Sequence, residues 1–203
     1  FTRTTSREEF LNAAMESIRS WCECRCVGLR IPDQKGNITY QSSIGADRAF
    51  IHTANHVSNN DVSVHRDQCA CVRVLSGVFD PADAAVRTPN GSLYFNDTAA
   101  FLTGLTEEQR GRFPTCRNNT FRSLAVVPVG NRWKVFGVIH LADEREGVFP
   151  LHTVQFIEQL ALIIGEAIRI ATKKRRGRYT WIVALVSFLL GSLIPLWPTM
   201  AFV

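Results

Sequence analysis

The sequence has none of the short motifs that mark the common hydrolases and nucleotide-binding enzymes. It contains no G-x-S-x-G, no GxxxxGK phosphate loop and no H-E-x-x-H. The haem-attachment pattern C-x-x-C-H is also absent. Internal repeats and low-complexity tracts are missing as well. These absences argue against an enzyme of a familiar class, and we predict that the chain is not an enzyme.

Charge is missing from residues 179–203, which read YTWIVALVSFLLGSLIPLWPTMAFV. About 20 apolar residues are enough to cross a bilayer as a helix. Trp181 and Trp197 would lie about 24 Å apart along that helix, near the two membrane interfaces where tryptophan is favoured. The segment therefore predicts a transmembrane helix that anchors the chain.

A basic surface of the kind that binds nucleic acid is not evident, because the excess positive charge stands in one cluster. The formal net charge is +5, and the cluster directly precedes the apolar segment. Such clusters stay on the cytoplasmic side and attract anionic lipid headgroups. We expect a single-pass protein of the inner (cytoplasmic) membrane, with its soluble part in the cytoplasm and no nucleic-acid partner. The cluster consists of Lys173, Lys174, Arg175, Arg176 and Arg178.

The part before the cluster reads as one α+β domain. Apolar residues from Phe10 to Trp21 recur at three- and four-residue steps, which predicts a first helix. Two pairs of apolar runs around the turns PDQKGN and GNR predict hairpins, and an amphipathic helix begins near Leu151. We therefore expect antiparallel strands with helices packed on one face. The predicted boundaries are 1–172 for the domain, 173–178 for the basic linker and 179–203 for the transmembrane helix.

Several separate stretches resemble the GAF family. They include CVGLRIPDQKGNITYQSSIG, RDQCACVRVLSGVFDP, TPNGSLYFNDT and VIHLADEREGVFPLHTVQFIE. More narrowly, they resemble a cysteine-containing GAF subgroup found in multi-sensor histidine kinases. The resemblance implies an antiparallel sheet with helices on one face and, on the other face, a pocket closed by the irregular middle segment. It also implies that Cys26, Cys69, Cys71 and Cys116 are the subgroup's cysteines.

The six cysteines leave three interpretations open. A reducing cytoplasm argues against a disulfide framework, so metal binding, redox chemistry and plain burial remain. Four thiolates suit zinc or an iron–sulfur cluster, and His65 is the best substitute ligand. We predict that CACVRVL is extended, so that Cys69 and Cys71 point to one face. Cys22 and Cys24 fall outside the subgroup's pattern, and His140 is expected to be a core residue.

Two functions follow from these features. The favoured interpretation is an accessory subunit of a larger membrane complex, such as a photosynthetic or respiratory assembly, in which the pocket has lost its role. The alternative is a redox, metal or small-ligand sensor that uses the four cysteines. A cysteine-based methionine sulfoxide reductase is a known GAF-type enzyme, but its surrounding sequence is not found here.

Overall fold

The computed structural model describes residues 7–48, 51, 69–111, 121–131 and 134–173. These residues form an α+β fold, as the sequence predicts. The helices are α1 Arg7–Cys22, α2 Ala70–Ser76, a 3-10 helix Pro81–Val86, α3 Thr98–Thr103, α4 Glu107–Gly111 and α5 Leu151–Lys173. The strands are β1 Cys26–Pro32, β2 Ile38–Ile44, β3 Leu93–Phe95, β4 Ser123–Asn131 and β5 Lys134–Asp143.

The five strands form one antiparallel sheet in the order β2-β1-β5-β4-β3. Both predicted hairpins are present, β1 with β2 and β4 with β5. The first and last strands of these hairpins meet at the centre, where Cys26 pairs with Ala142 and Arg30 with Val138. The sheet thus joins the beginning of the domain to its end.

The two long helices cover one face of the sheet. The apolar side of α1, from Phe10 to Ile18, packs with that of α5, from Val154 to Ile168, on Val27 and Leu29. The helix periodicity and the strand alternation expected from the sequence are both confirmed, because these residues are buried. At one point α5 approaches β4 so closely that a Cβ on Gly165 would lie 2.3 Å from the carbonyl oxygen of Gly130.

The second face carries a separate core, and here one prediction was wrong. The segment CACVRVL is not extended, because residues Ala70–Ser76 form α2, which packs against β4 and β5. Cys69 is the residue that precedes the helix, and Gly77 ends the helix in the left-handed conformation. Residues 70–74 are all buried, so this short helix shows no exposed side and no helical periodicity in its sequence.

The predicted transmembrane helix, residues 179–203, lies outside the described residues, as do Trp181, Trp197, Lys174, Arg175, Arg176 and Arg178. Within the described part of the chain, the stretch Leu151–Ile170 is long and apolar enough to cross a membrane by length and composition. That stretch is part of α5, and half of its most apolar window is buried inside the domain. Core helices of soluble domains pass the same test.

Candidate functional site

A buried arginine lies on the second face of the sheet. Because side chains alternate along a strand, β1 directs Arg30 to the face opposite Val27 and Leu29. Arg30 is 3% exposed, and its Nη2 donates a hydrogen bond of 2.7 Å to the carbonyl oxygen of Ile38. Its guanidinium also lies over the ring of Tyr40, 4.9 Å from the ring centroid. The fold therefore holds a fixed positive charge under α2.

The sulfur of Cys71 is the third partner of this guanidinium. Nη1 of Arg30 lies 3.3 Å from the Cys71 Sγ, and both groups are buried. The neighbouring Cys69 is also buried, and the side chain of Cys71 is the strongest influence on its pKa. The result is a pair of thiols beside a positive charge in the interior of the domain.

The two thiols differ in acidity. The hydrogen bond from Cys71, helped by the positive charge of Arg30, lowers the pKa of Cys69 to about 5, although burial opposes this shift. The pKa of Cys71 is raised, because its proton is held in the same hydrogen bond and its sulfur is buried. These opposite shifts favour the thiolate on Cys69 and the thiol on Cys71.

Tyr40 and His140 complete the cluster. The Tyr40 hydroxyl lies 3.2 Å from His140 Nδ1, and Gly28 makes room for the tyrosine ring, since a Cβ there would lie 2.6 Å from Tyr40 Cε1. Burial, followed by the charge of Arg30, lowers the pKa of His140 to about 3. Burial also raises the pKa of Tyr40. The expectation that His140 is a core residue is confirmed.

The structure brings together three of the four predicted cysteines. Cys26, Cys69 and Cys71 belong to one buried cluster on the second face. The Cys26 thiol donates to the carbonyl oxygen of Ala142 at 3.5 Å, and burial raises its pKa to about 12. Cys116 and His65 lie outside the described residues. Among the described residues, no group of three or more His, Cys, Asp or Glu is placed to hold a metal ion, and the zinc or iron–sulfur site stays a prediction.

Two further buried polar contacts connect this cluster to α5. Arg73, on α2, forms an ion pair with Asp83 of the 3-10 helix, with Nε 2.8 Å from Oδ2 and Nη2 3.1 Å from Oδ1. The loop after that helix reaches α5, where Glu158 accepts hydrogen bonds from three side chains. They are Thr88, Asn90 at 2.6 Å and Ser92 at 2.6 Å.

The family model that describes the GAF domain matches residues 6–168. The chain belongs to the GAF family. Solved structures of GAF domains from other proteins have a similar fold, although their sequence identity to this chain is low. A GAF/HD-domain protein from Geobacter sulfurreducens superimposes with a TM-score of 0.58 at 15% identity, over 86% of this chain and 99% of that one.

Two other solved GAF-like structures differ in the function their names give. A domain of a protein assigned as a two-component sensor histidine kinase, from Sinorhizobium meliloti, has a TM-score of 0.55 at 10% identity, over 85% of this chain and all of that one. Free methionine-R-sulfoxide reductase from Neisseria meningitidis has a TM-score of 0.56 at 14% identity, over 80% of this chain and 77% of that one. No protein of curated function matches the chain. At these identities the similarity shows the fold alone.

The GAF assignment confirms the broader part of the resemblance, and membership of the cysteine-containing subgroup stays a prediction. Sequence reasoning missed Arg30 as a site residue. The available signal was its place in CVGLRI, where alternation puts Arg30 on the same face as Cys26. The roles of Arg73, Asp83 and Glu158 had no local signal, because their partners lie in other elements.

Proposed function

We propose that this chain is a non-enzymatic, membrane-tethered GAF sensor whose input is the oxidation state of Cys69 and Cys71. The observation that carries this proposal is the guanidinium of Arg30, 3.3 Å from the Cys71 sulfur in the interior of the domain. GAF domains are typical of sensor and signalling proteins, which supports a sensor role for this one.

The fixed charge favours thiol chemistry over metal binding at this position. A neighbouring cation stabilises a thiolate, and the thiolate is the reactive form of cysteine. The same cation repels a metal ion, and the interaction between charges is strong in a site with little water. Redox chemistry is therefore the input that this arrangement supports best among the three open interpretations.

The backbone spacing of the two cysteines lies within the range that disulfides span. Ala70, between them, is the first residue of α2. In a helical backbone, Cα atoms two residues apart are separated by about 5.4 Å, within the range of about 4.4–6.8 Å that disulfides span. A peroxide would supply the oxidant. The Cys69 thiolate takes one peroxide oxygen to give a sulfenic acid and water, and the Cys71 sulfur then displaces a second water to form the S–S bond.

Two buried polar contacts, joined by the backbone between them, lead from these thiols to the last helix. Arg73 follows Cys71 on α2 and pairs with Asp83, and the 3-10 helix leads into the loop that binds Glu158. A disulfide would change the first turn of α2 and therefore the position of Arg73. We propose that α5 passes this change toward the membrane anchor.

The test is oxidation of the purified full chain in detergent with hydrogen peroxide, followed by alkylation, trypsin digestion and mass spectrometry. The tryptic peptide of residues 67–73, DQCACVR, contains Cys69 and Cys71 and no other cysteine. We expect the oxidised peptide to escape alkylation and to be two hydrogen atoms lighter than the unalkylated dithiol peptide, and dithiothreitol before alkylation should restore both alkyl groups. Arg30→Gln should slow the oxidation at least about tenfold near neutral pH by reducing the thiolate fraction, whereas Arg30→Lys should restore most of the rate.

Matched variants separate the proposal from general damage. Cys69→Ser and Cys71→Ser should each abolish the change in this peptide, and Cys26→Ser should leave it intact. Anaerobic purification with metal analysis gives the contrary outcome. Stoichiometric zinc or iron that is lost in Cys69→Ser would show a metal site and contradict redox sensing, and so would a peptide that stays reduced in excess peroxide.

An accessory role in a membrane complex is a second candidate, and the observation that favours it is the uncharged segment 179–203 after the basic cluster. Membrane-protein subunits would then be the partners. Purification of the tagged full chain in mild detergent should bring down stoichiometric partner subunits. If assembly is unchanged when Cys69 and Cys71 are both serine, the complex does not depend on the thiols and the accessory role is favoured over the sensor.

A further inference from the structure

Two thiols at the end of α1 form a second pair on the other face of the sheet. Cys22 is the last residue of α1 and is partly exposed, and Cys24 is buried. Both pack in the core beneath the long helices, whereas Cys26 belongs to the core of the second face. The strand that begins at Cys26 thus separates Cys24 from the site proposed above.

The backbone between the two cysteines is unusual. Glu23 has a φ of +50°, and it is the one non-glycine residue with positive φ in the described part of the chain. This is the left-handed helical region, in which the Cα atoms on either side approach to about 5.4 Å, a distance that a disulfide can span. An arginine holds the turn in place, since Nη2 of Arg145 donates a hydrogen bond of 2.5 Å to the Glu23 carbonyl oxygen. The residue that brings the two sulfurs together is therefore fixed by tertiary contacts.

The two thiols also interact directly. The neighbouring Cys22 side chain lowers the pKa of Cys24, and the Cys24 sulfur also lies 3.6 Å from the carbonyl oxygen of Cys26. The pKa of Cys22 is raised by the same contact and by burial. Cys24 is thus the better nucleophile, and the partly exposed Cys22 is placed to react next.

From this geometry we infer that Cys22 and Cys24 are a modification site, a dithiol that a peroxide converts to an intramolecular disulfide. The Cys24 sulfur attacks one peroxide oxygen, the O–O bond breaks, and the other oxygen leaves as water, which gives a sulfenic acid. The Cys22 sulfur then attacks the Cys24 sulfur, and the hydroxyl leaves as a second water with the Cys22 proton. Two thiols are oxidised by two electrons, and one peroxide is reduced to two waters.

The site differs from the first in access and in what it contacts. Cys24, at 3% exposed, is as buried as Cys69 and Cys71, at 6% and 3%, but it adjoins Cys22, which is partly open to solvent and gives this pair the nearer access to peroxide. Trp21, next to Cys22, packs on Phe156 of α5 with ring centroids 4.4 Å apart. A disulfide here would therefore change the contact between the first and last helices. We expect this pair to oxidise before the buried pair when peroxide is added in limiting amounts.

The same peroxide experiment on the full chain measures the oxidation of each cysteine pair separately, because the two pairs fall in different tryptic peptides. Trypsin gives residues 20–25, SWCECR, as one peptide, which contains Cys22 and Cys24 alone, and Cys26 starts the next peptide. We expect the 20–25 peptide to lose two hydrogen atoms, to recover after reduction, and to do so at lower peroxide than the 67–73 peptide. In Cys22→Ser the loss should disappear, and dimedone should instead trap a sulfenic acid on Cys24.

Three results would overturn this inference. The first is a 20–25 peptide that stays reduced while the 67–73 peptide is oxidised, which would leave the proposed function standing. The second is a cross-link from residues 20–25 to the peptide that begins at Cys26 or to a second chain. The third is a reversal of the order, with the buried pair oxidised first. The wild-type digest alone decides all three, so the result does not depend on a variant that folds poorly.

Discussion

Arg30 shows how one residue determines the chemistry of a site. Buried arginines are rare unless they are paired, because removal of the charge from water is unfavourable. Here a carbonyl oxygen, an aromatic face and a sulfur surround the guanidinium. The charge in turn favours the anionic form of Cys69 and the neutral form of His140. A single side chain thus contributes to the protonation of two others, beside the Cys71 interaction in one case and burial in the other.

The buried His140 predicts a loss of stability in acid. Its pKa in the folded state is about 3, below the value of about 6.5 in the unfolded chain, so only the unfolded state takes up a proton between these values. The contribution of His140 to the unfolding free energy is therefore fully present above about pH 6.5, and it is lost as the pH is lowered toward 3. Between about pH 7.5 and about pH 5, we expect this histidine to remove about 2 kcal/mol of unfolding free energy.

His140→Gln, which keeps a partner for the Tyr40 hydroxyl, should lack this contribution. The measurement is urea denaturation of both proteins at the two pH values, and the difference between their pH dependences isolates His140 from the carboxyl groups. His152→Gln, on the exposed start of α5, is the control and should follow the wild type. Equal pH dependence in His140→Gln and the wild type would show that His140 is protonated in the folded state.

At the scale of elements, α2 is where reasoning from the sequence failed. The long helices and both hairpins have clear periodicities, because each has one buried and one exposed side. Residues 70–74 are buried throughout, so the alternating valines of CACVRVL gave a strand pattern. Gly77, a helix-ending residue, was the one local sign of a helix. Arg73 of α2 forms its ion pair with Asp83 of the 3-10 helix. The spacing of residues in the sequence does not predict such a partner, because it lies in another element.

The buried ion pair predicts an asymmetric response to mutation. Arg73 and Asp83 are 1% and 0% exposed, so Arg73→Met leaves a buried carboxylate without its counter-ion. We expect a loss of about 3–5 kcal/mol in unfolding free energy. Arg73→Met combined with Asp83→Asn should recover at least half of the loss, because the asparagine is neutral and can still accept from the Asp80 amide.

Chemical denaturation followed by circular dichroism measures these losses. Glu166→Gln is the control, since it breaks the exposed pair with Arg169 on α5 and should change stability by less than about 1 kcal/mol. If Arg73→Met were no worse than this control, the charge pair would contribute little, and α2 would depend on its apolar contacts alone.

At the scale of the whole molecule, a sensor domain and a membrane tether are predicted on one chain. The domain is a GAF fold, and the tether rests on the hydropathy of residues 179–203 and on the basic cluster before them. The described part of the last helix, α5, reaches Lys173, the first residue of that cluster. A change in the domain therefore has a short path in sequence to the bilayer surface.

Protease protection tests the orientation of the full chain expressed in a bacterial host. With the domain in the cytoplasm, trypsin should leave it intact in spheroplasts and degrade it in inverted membrane vesicles. The chain should also stay with the membrane after an alkaline carbonate wash, which removes peripheral proteins. Degradation in intact spheroplasts would reverse the predicted orientation, and release by carbonate would exclude a transmembrane anchor.

The central pairing of β1 with β5 has a consequence for synthesis on the ribosome. The β1–β2 hairpin is made early, but the edge of β1 that bonds to residues 138–142 waits for its partner. At typical rates of about 5–20 residues per second, this edge stays open for roughly 5 to 20 seconds. An unpaired strand edge can bond to another nascent chain. Chaperone demand during translation should therefore be greatest in this interval, before the sheet closes.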